Sequence, residues 1–85
     1  MLMTKKYTAA EQIREWLLIN DLFEPDWLND KQRKYYLFYT AQHATIKIGS
    51  TFIEQRGHFY LSSEQLALKL RHELKESVYD YLTIN

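Results

Sequence analysis

The 85-residue chain is expected to fold as an α+β domain: an N-terminal helix, a three-stranded antiparallel meander, and a long C-terminal helix packed on the sheet. Three observations predict it. Residues 34–40, read as Lys-Tyr-Tyr-Leu-Phe-Tyr-Thr, are almost all aromatic or otherwise β-favouring. Two shorter segments with strand-like alternation follow, at 45–48 and 58–61. Capping signatures, Thr8 with Glu11 and Ser62 with Gln65, open a helical periodicity on either side of these strands.

The first helix is expected to begin at Ala9, because Thr8 and Glu11 can reciprocally satisfy backbone donors at a helix start. At 100° per residue Ala9, Ile13, Trp16 and Leu17 share one face, with Arg14, Glu15 and Leu18 away from it, and the periodicity ends near Asn20. From Asp21 to Asp30 no period survives. Pro25 holds Glu24 extended, and acids surround Leu22, Phe23, Trp27 and Leu28, so the segment reads as a structured crossover pinned by Phe23 and Trp27.

Strand alternation places Tyr35, Leu37 and Tyr39 on one face of the first strand and Tyr36, Phe38 and Thr40 on the other. Both faces are apolar, as in a central or doubly covered strand, whereas Ile46 and Ile48 alternate with Thr45 and Lys47 as in a half-exposed one. Residues 41–44 form the connecting turn. After Gly49 and Ser50 an excursion ends at Gly57, and Phe59 and Leu61 alternate with His58 and Tyr60 in a third strand. The last helix is expected to start at Ser63 and run to about Leu82. Ala67, Leu70, Leu74, Val78 and Tyr81 form its inward stripe, flanked by Leu66 and Leu82, with Leu68, His72, Lys75 and Tyr79 on the opposite ridge.

A chain of this length is one domain and buries only about 60 to 65% of the surface its unfolded state exposes. Without cysteine there is neither a disulfide framework nor a thiolate, so the aromatic and aliphatic side chains must hold the fold together. Most of the rings of the tyrosine-rich strand are therefore expected in the core. No segment approaches a membrane span and Lys5 and Lys6 do not lead into an apolar signal core, so a cytoplasmic protein without a membrane partner is expected. Formal charge is zero, yet residues 1–30 carry three basic against six acidic side chains and residues 31–61 five against one. An acidic crossover thus abuts a basic sheet, and the two are expected to neutralise each other.

Little in the sequence points to catalysis. The string from His72 to Glu76 resembles the zinc helix H-E-x-x-H, but Glu76 stands where the second histidine belongs, and His43 and His58 lie on other elements; no metal or cofactor is expected. Ser62 and Ser63 are consumed by capping, and Gly49 and Gly57 are too isolated to cradle phosphate. A non-enzymatic binding role follows. A protein partner is the first expectation. Single-stranded nucleic acid held by the basic aromatic strands is the alternative, with Lys31, Arg33, Lys34, Lys47 and Arg56 among the rings.

Three strings carry a resemblance: Glu24-Pro25-Asp26-Trp27 in the crossover; Lys34, Tyr35, Tyr36 and Tyr39 in the first strand; and Phe59, Tyr60, Ser62, Glu64 and Ala67 at the turn into the last helix. Over residues 16–81 the chain resembles a loose group of small accessory proteins encoded by phages and prophages of Gram-positive bacteria. The resemblance implies a protein that occupies a host or phage protein, including one of host defence or nucleic-acid processing. The partner-binding residues expected are Asp21, Glu24, Asp26, Trp27 and Asp30 of the crossover, where carboxylates imitate phosphates around an aromatic anchor, and Leu68, His72 and Tyr79 of the helix ridge. That ridge, or the outer sheet face, would also serve a homodimer.

Overall fold

A computed structural model describes residues 2–26, 28–29, 31–52 and 59–84 of the chain. Its elements are α1 (Leu2–Asn20), β1 (Lys34–Thr40), β2 (Thr45–Thr51), α2 (Glu64–Glu73) and α3 (Lys75–Thr83). The α+β class and the helix–hairpin–helix order agree with the sequence reading. Three details do not.

Helix α1 starts six residues before the Thr8 capping box and runs straight through it. The residues before Thr8 contain no helix breaker, and tertiary contacts hold the extra turns against α3: the Lys5 ammonium lies 3.7 Å from the Asp80 carboxylate, and Lys6 sits 5.2 Å from the centre of the Tyr81 ring. The expected inward face is otherwise as read, with Ala9, Ala10, Ile13 and Trp16 buried and Leu17 packed beside them. Asn20 closes the helix, its side-chain amide donating to the Trp16 carbonyl at 2.9 Å.

Among the described residues the sheet has two strands, and the expected third is not shown. β1 and β2 pair antiparallel in the register Tyr36 opposite Gly49 and Phe38 opposite Lys47, across a turn at residues 41–44. On the other side of β1 the chain returns only as an isolated bridge: Tyr35 and Leu61 exchange backbone hydrogen bonds of 3.0 and 2.8 Å. A continued ladder would pair Phe59 with Leu37, but among the described residues the pairing stops at Leu61. The Phe59 ring packs toward the helices, 4.9 Å from Tyr81, with the Arg14 guanidinium 5.7 Å from its centre. His58, Gly57 and Arg56 of the expected third strand and excursion lie outside the described residues. Beyond β2, β1 is met on its other edge only at this one bridge.

The C-terminal helix is broken in two. Ser63, one residue later than the expected cap, accepts from the Leu66 N–H at 3.1 Å and opens α2. At Leu74 (φ −120°, ψ 42°) the backbone leaves helical geometry, yet its N–H still reaches the Leu70 carbonyl and its carbonyl still accepts from Val78, each at 2.9 Å. The bend therefore keeps the hydrogen-bond chain. It lets α2 follow both strands while α3 turns along α1. The predicted stripe survives the bend: Ala67, Leu70 and Val78 are buried, and Leu66, Leu74, Tyr81 and Leu82 pack against them.

Helices α2 and α3 pack on the hairpin, and α1 packs mainly on α3. The core joins Ile13 and Trp16 of α1, Leu37 of β1, Ile46 of β2, Leu61, and Ala67, Leu70 and Val78 of the last two helices. Burying each large aliphatic side chain of this cluster contributes about 1.5 to 3 kcal/mol. Two polar ties close the layer: the Trp16 indole N–H donates to the Glu73 carboxylate at 2.9 Å, and Arg71 donates to the Ile46 carbonyl at 3.0 Å.

Candidate functional site

The crossover is held by its acids from within. The Asp21 N–H donates to the Leu17 carbonyl at 2.8 Å, extending α1, and the Asp21 carboxylate accepts from both the N–H and the hydroxyl of Ser62, at 2.8 and 2.9 Å. That fixes the start of the crossover to the segment entering α2. Asp26 accepts from the Leu28 N–H at 3.1 Å, an Asx turn, while its own N–H donates to the Gln32 side chain at 2.7 Å. Asn29 caps the next turn by accepting from the Lys31 N–H at 3.0 Å.

The expected acidic binding residues therefore divide. Asp21 is committed to Ser62. Glu24 and Asp26 are exposed and point their charge outward, apart from the one turn bond of Asp26. Trp27 and Asp30 lie outside the described residues. Phe23 is half-buried, as a loop anchor should be. Among the described residues the ion pairs are Lys5 with Asp80, Arg14 with Glu11 and Lys69 with Glu73, all carried by helices.

Sequence reasoning missed the apolar side chains among these acids. Leu18 is 67% exposed, Ile19 82%, Leu22 77% and Leu28 99%. Leu18 and Leu22 line an open groove with Leu17, Phe23, Arg14, Asp21 and Glu24, at the corner where α1 runs into the crossover. Leu18 had been legible as facing away from the docking stripe. Leu22 and Leu28 carried no period from which exposure could be read.

The helix ridge is a weaker surface. Leu68 is 40% and Tyr79 46% exposed, and His72 is exposed beside them. Tyr79 is partly used by the fold, its ring meeting Tyr39 edge-on at 5.5 Å. The ridge also spans the bend at Leu74, so its residues do not continue along one straight helix.

No enclosed pocket suits a substrate among the described residues. A core void of about 20 Å³, lined by Ile13, Leu37, Leu61, Leu70 and Val78 among others, is apolar and has room for about one water-sized sphere. His72 stands exposed, its neighbour Glu73 is bonded to Trp16, and among the described residues no group of three His, Asp or Glu side chains converges on a metal-sized space. Among the same residues no helix is long and apolar enough to cross a membrane. Comparison with known proteins adds no further constraint: no protein-family model, no curated protein and no solved structure matches this chain.

Proposed function

We propose that the protein is a non-catalytic binding module that occupies a protein partner through the corner formed by the end of α1 and the crossover. One observation carries the reading: Leu18, Ile19, Leu22 and Leu28, within a single turn of helix and the loop that follows, are all at least two-thirds exposed. Isolated exposed leucines are ordinary, but several concentrated on one segment and rimmed by charge are the mark of an interaction surface. Here the rim is acidic, with Glu15, Glu24 and Asp26 exposed. A target with apolar ground between lysines and arginines fits it, and the resemblance to phage-encoded accessory proteins supports a host protein of defence or nucleic-acid processing as that target.

The test is photo-crosslinking in bacterial cells. A photoreactive residue in place of Leu22 or Leu28 is expected to give one discrete protein adduct, and the same residue in place of Leu68 none. Reversing the rim with Glu24→Lys and Asp26→Lys should weaken the adduct. Failure to form it from either corner position, or indifference to the charge reversal, removes the reading.

A further inference from the structure

The two edges of the hairpin are not equivalent. Tyr35 of β1 sends both its N–H and its carbonyl to Leu61, away from β2. Backbone direction alternates along a strand, so Tyr36 and the opposite Gly49 exchange ladder bonds, and Ile46, Ile48 and Ser50 of β2 turn their N–H and C=O groups outward. The Arg71 guanidinium reads the same phase from outside, donating to the Ile46 carbonyl at 3.0 Å. Among the described residues no strand meets this outer edge of β2.

Cations close that edge on either side of a short window. Arg71 takes the Ile46 carbonyl, and the Lys34 ammonium takes the Phe52 carbonyl at 3.4 Å. Between them the outward groups of Ile48 and Ser50 have no hydrogen-bond partner among the described residues. Unpaired strand groups are a template for a further strand, and this stretch holds no proline to block one.

A window of two residues about a central glycine is complementary to itself. A two-fold axis through Gly49 sets Ile48 opposite the second copy's Ser50 and Ser50 opposite its Ile48, so four backbone hydrogen bonds form from the unpartnered groups. The same register sets Lys47 opposite Thr51, and the two Lys47 Cα atoms stand about 14 Å apart instead of facing each other. Glycine meets glycine at the axis, with no side chain to hold the strands apart. A Cβ on Gly49 would stand 2.5 Å from Tyr36 Cζ and 2.7 Å from its hydroxyl oxygen, so this ring crosses its own Gly49 tip-first toward the edge. Three strand spacings put the two Tyr36 Cα atoms about 14 Å apart, and the ring tips meet over the axis.

We propose that the outer edge of β2 is a self-association site, at which two copies pair antiparallel through Ile48 and Ser50 into a four-stranded sheet of order β1-β2-β2-β1. The acid-rimmed corner takes no part in it. That corner lies toward the opposite edge of the hairpin, where Asp21 holds Ser62 next to the Leu61 bridge, so the pair presents two open corners.

Sedimentation equilibrium of the full chain, from micromolar to millimolar concentration, tests the proposal and should show a dimer that grows with concentration. Ser50→Pro removes an outward N–H and leaves the ladder to β1 intact, a change that edge strands tolerate. It should weaken the dimer about tenfold or more, because two of the four hydrogen bonds are lost. Ser50→Lys, at an exposed site, sets like charges on the diagonal of the pair and should weaken it as well, which keeps the test intact if the proline variant fails a circular-dichroism melt. Leu68→Lys on the helix ridge should change nothing. Spin labels on Lys47→Cys should broaden one another in the dimer, as the register requires. Four outcomes overturn the proposal: a monomer at every concentration, which leaves the edge to water or to another protein's strand; a dimer indifferent to both Ser50 variants; a dimer lost in Leu68→Lys, which assigns the contact to the ridge; or a dimer without broadening between the labels.

Discussion

Asp21 and Ser62, 41 residues apart in sequence, are joined by two hydrogen bonds to one carboxylate, from the Ser62 N–H at 2.8 Å and its hydroxyl at 2.9 Å. This pair closes the loop between the end of α1 and the start of α2. Asp21→Ala removes both bonds at a partly exposed site and is expected to cost about 1 kcal/mol, while Ser62→Ala keeps the backbone bond and costs less. Ser63→Ala, which uncaps α2, should also cost about 1 kcal/mol. Urea unfolding of the three variants checks the order, and equal losses from Ser62→Ala and Asp21→Ala would contradict it.

The two serines show how much of the fold could be read in advance. Ser62 stands three residues before Gln65, whose side chain could complete a capping box, whereas Leu66, three after Ser63, offers only its backbone N–H, so local pattern favours Ser62. The choice is made by Asp21, which reaches Ser62 from a distant element and leaves Ser63 to cap. Thr8 fails as a helix start for the same kind of reason, since Asp80 and Tyr81 hold the turns before it. The inward stripes of α1, α2 and α3 were legible because burial follows periodicity. The exposed Leu22 and Leu28 were not, because a loop has no period and their exposure depends on where the crossover is tied down.

Gly49 and Tyr36 form a second long-range dependence. Gly49→Ala must push the Tyr36 ring off the strand and away from Phe38 and Tyr60, an overpacking expected to cost about 1 kcal/mol despite the better strand propensity of alanine. In a double-mutant cycle Tyr36→Thr should make Gly49→Ala harmless or favourable, because the clash is gone. Additive losses would show that the glycine matters for another reason.

At the hairpin turn Ala44 has φ 49°, the left-handed region in which its Cβ crowds the backbone. Its N–H still closes the turn onto the Ala41 carbonyl at 3.3 Å. Ala44→Asn retains that bond and suits left-handed geometry without the unfolded-state freedom of glycine, so a gain of about 0.5 kcal/mol is expected. A rise in the urea midpoint with an unchanged slope confirms it; a fall shows that the turn rearranges.

The corner can be separated from the core by stability alone. Leu61 is fully buried and bridges Tyr35, so Leu61→Ala should cost about 2 to 5 kcal/mol, a large part of what a domain of this size possesses. Ile19→Lys, Leu22→Ser and Leu28→Ser alter side chains that are at least three-quarters exposed, and each should change stability by no more than about 0.5 kcal/mol. Ile19→Lys should gain slightly, because it puts a cation in the last turn of α1, where no basic residue now stands. If all three polar substitutions are neutral for folding, their apolar character serves something outside the fold, and their effect on partner crosslinking measures it. A loss above about 1 kcal/mol from Leu22→Ser or Leu28→Ser would instead assign those leucines to the crossover's own packing and take away the ground for a docking surface.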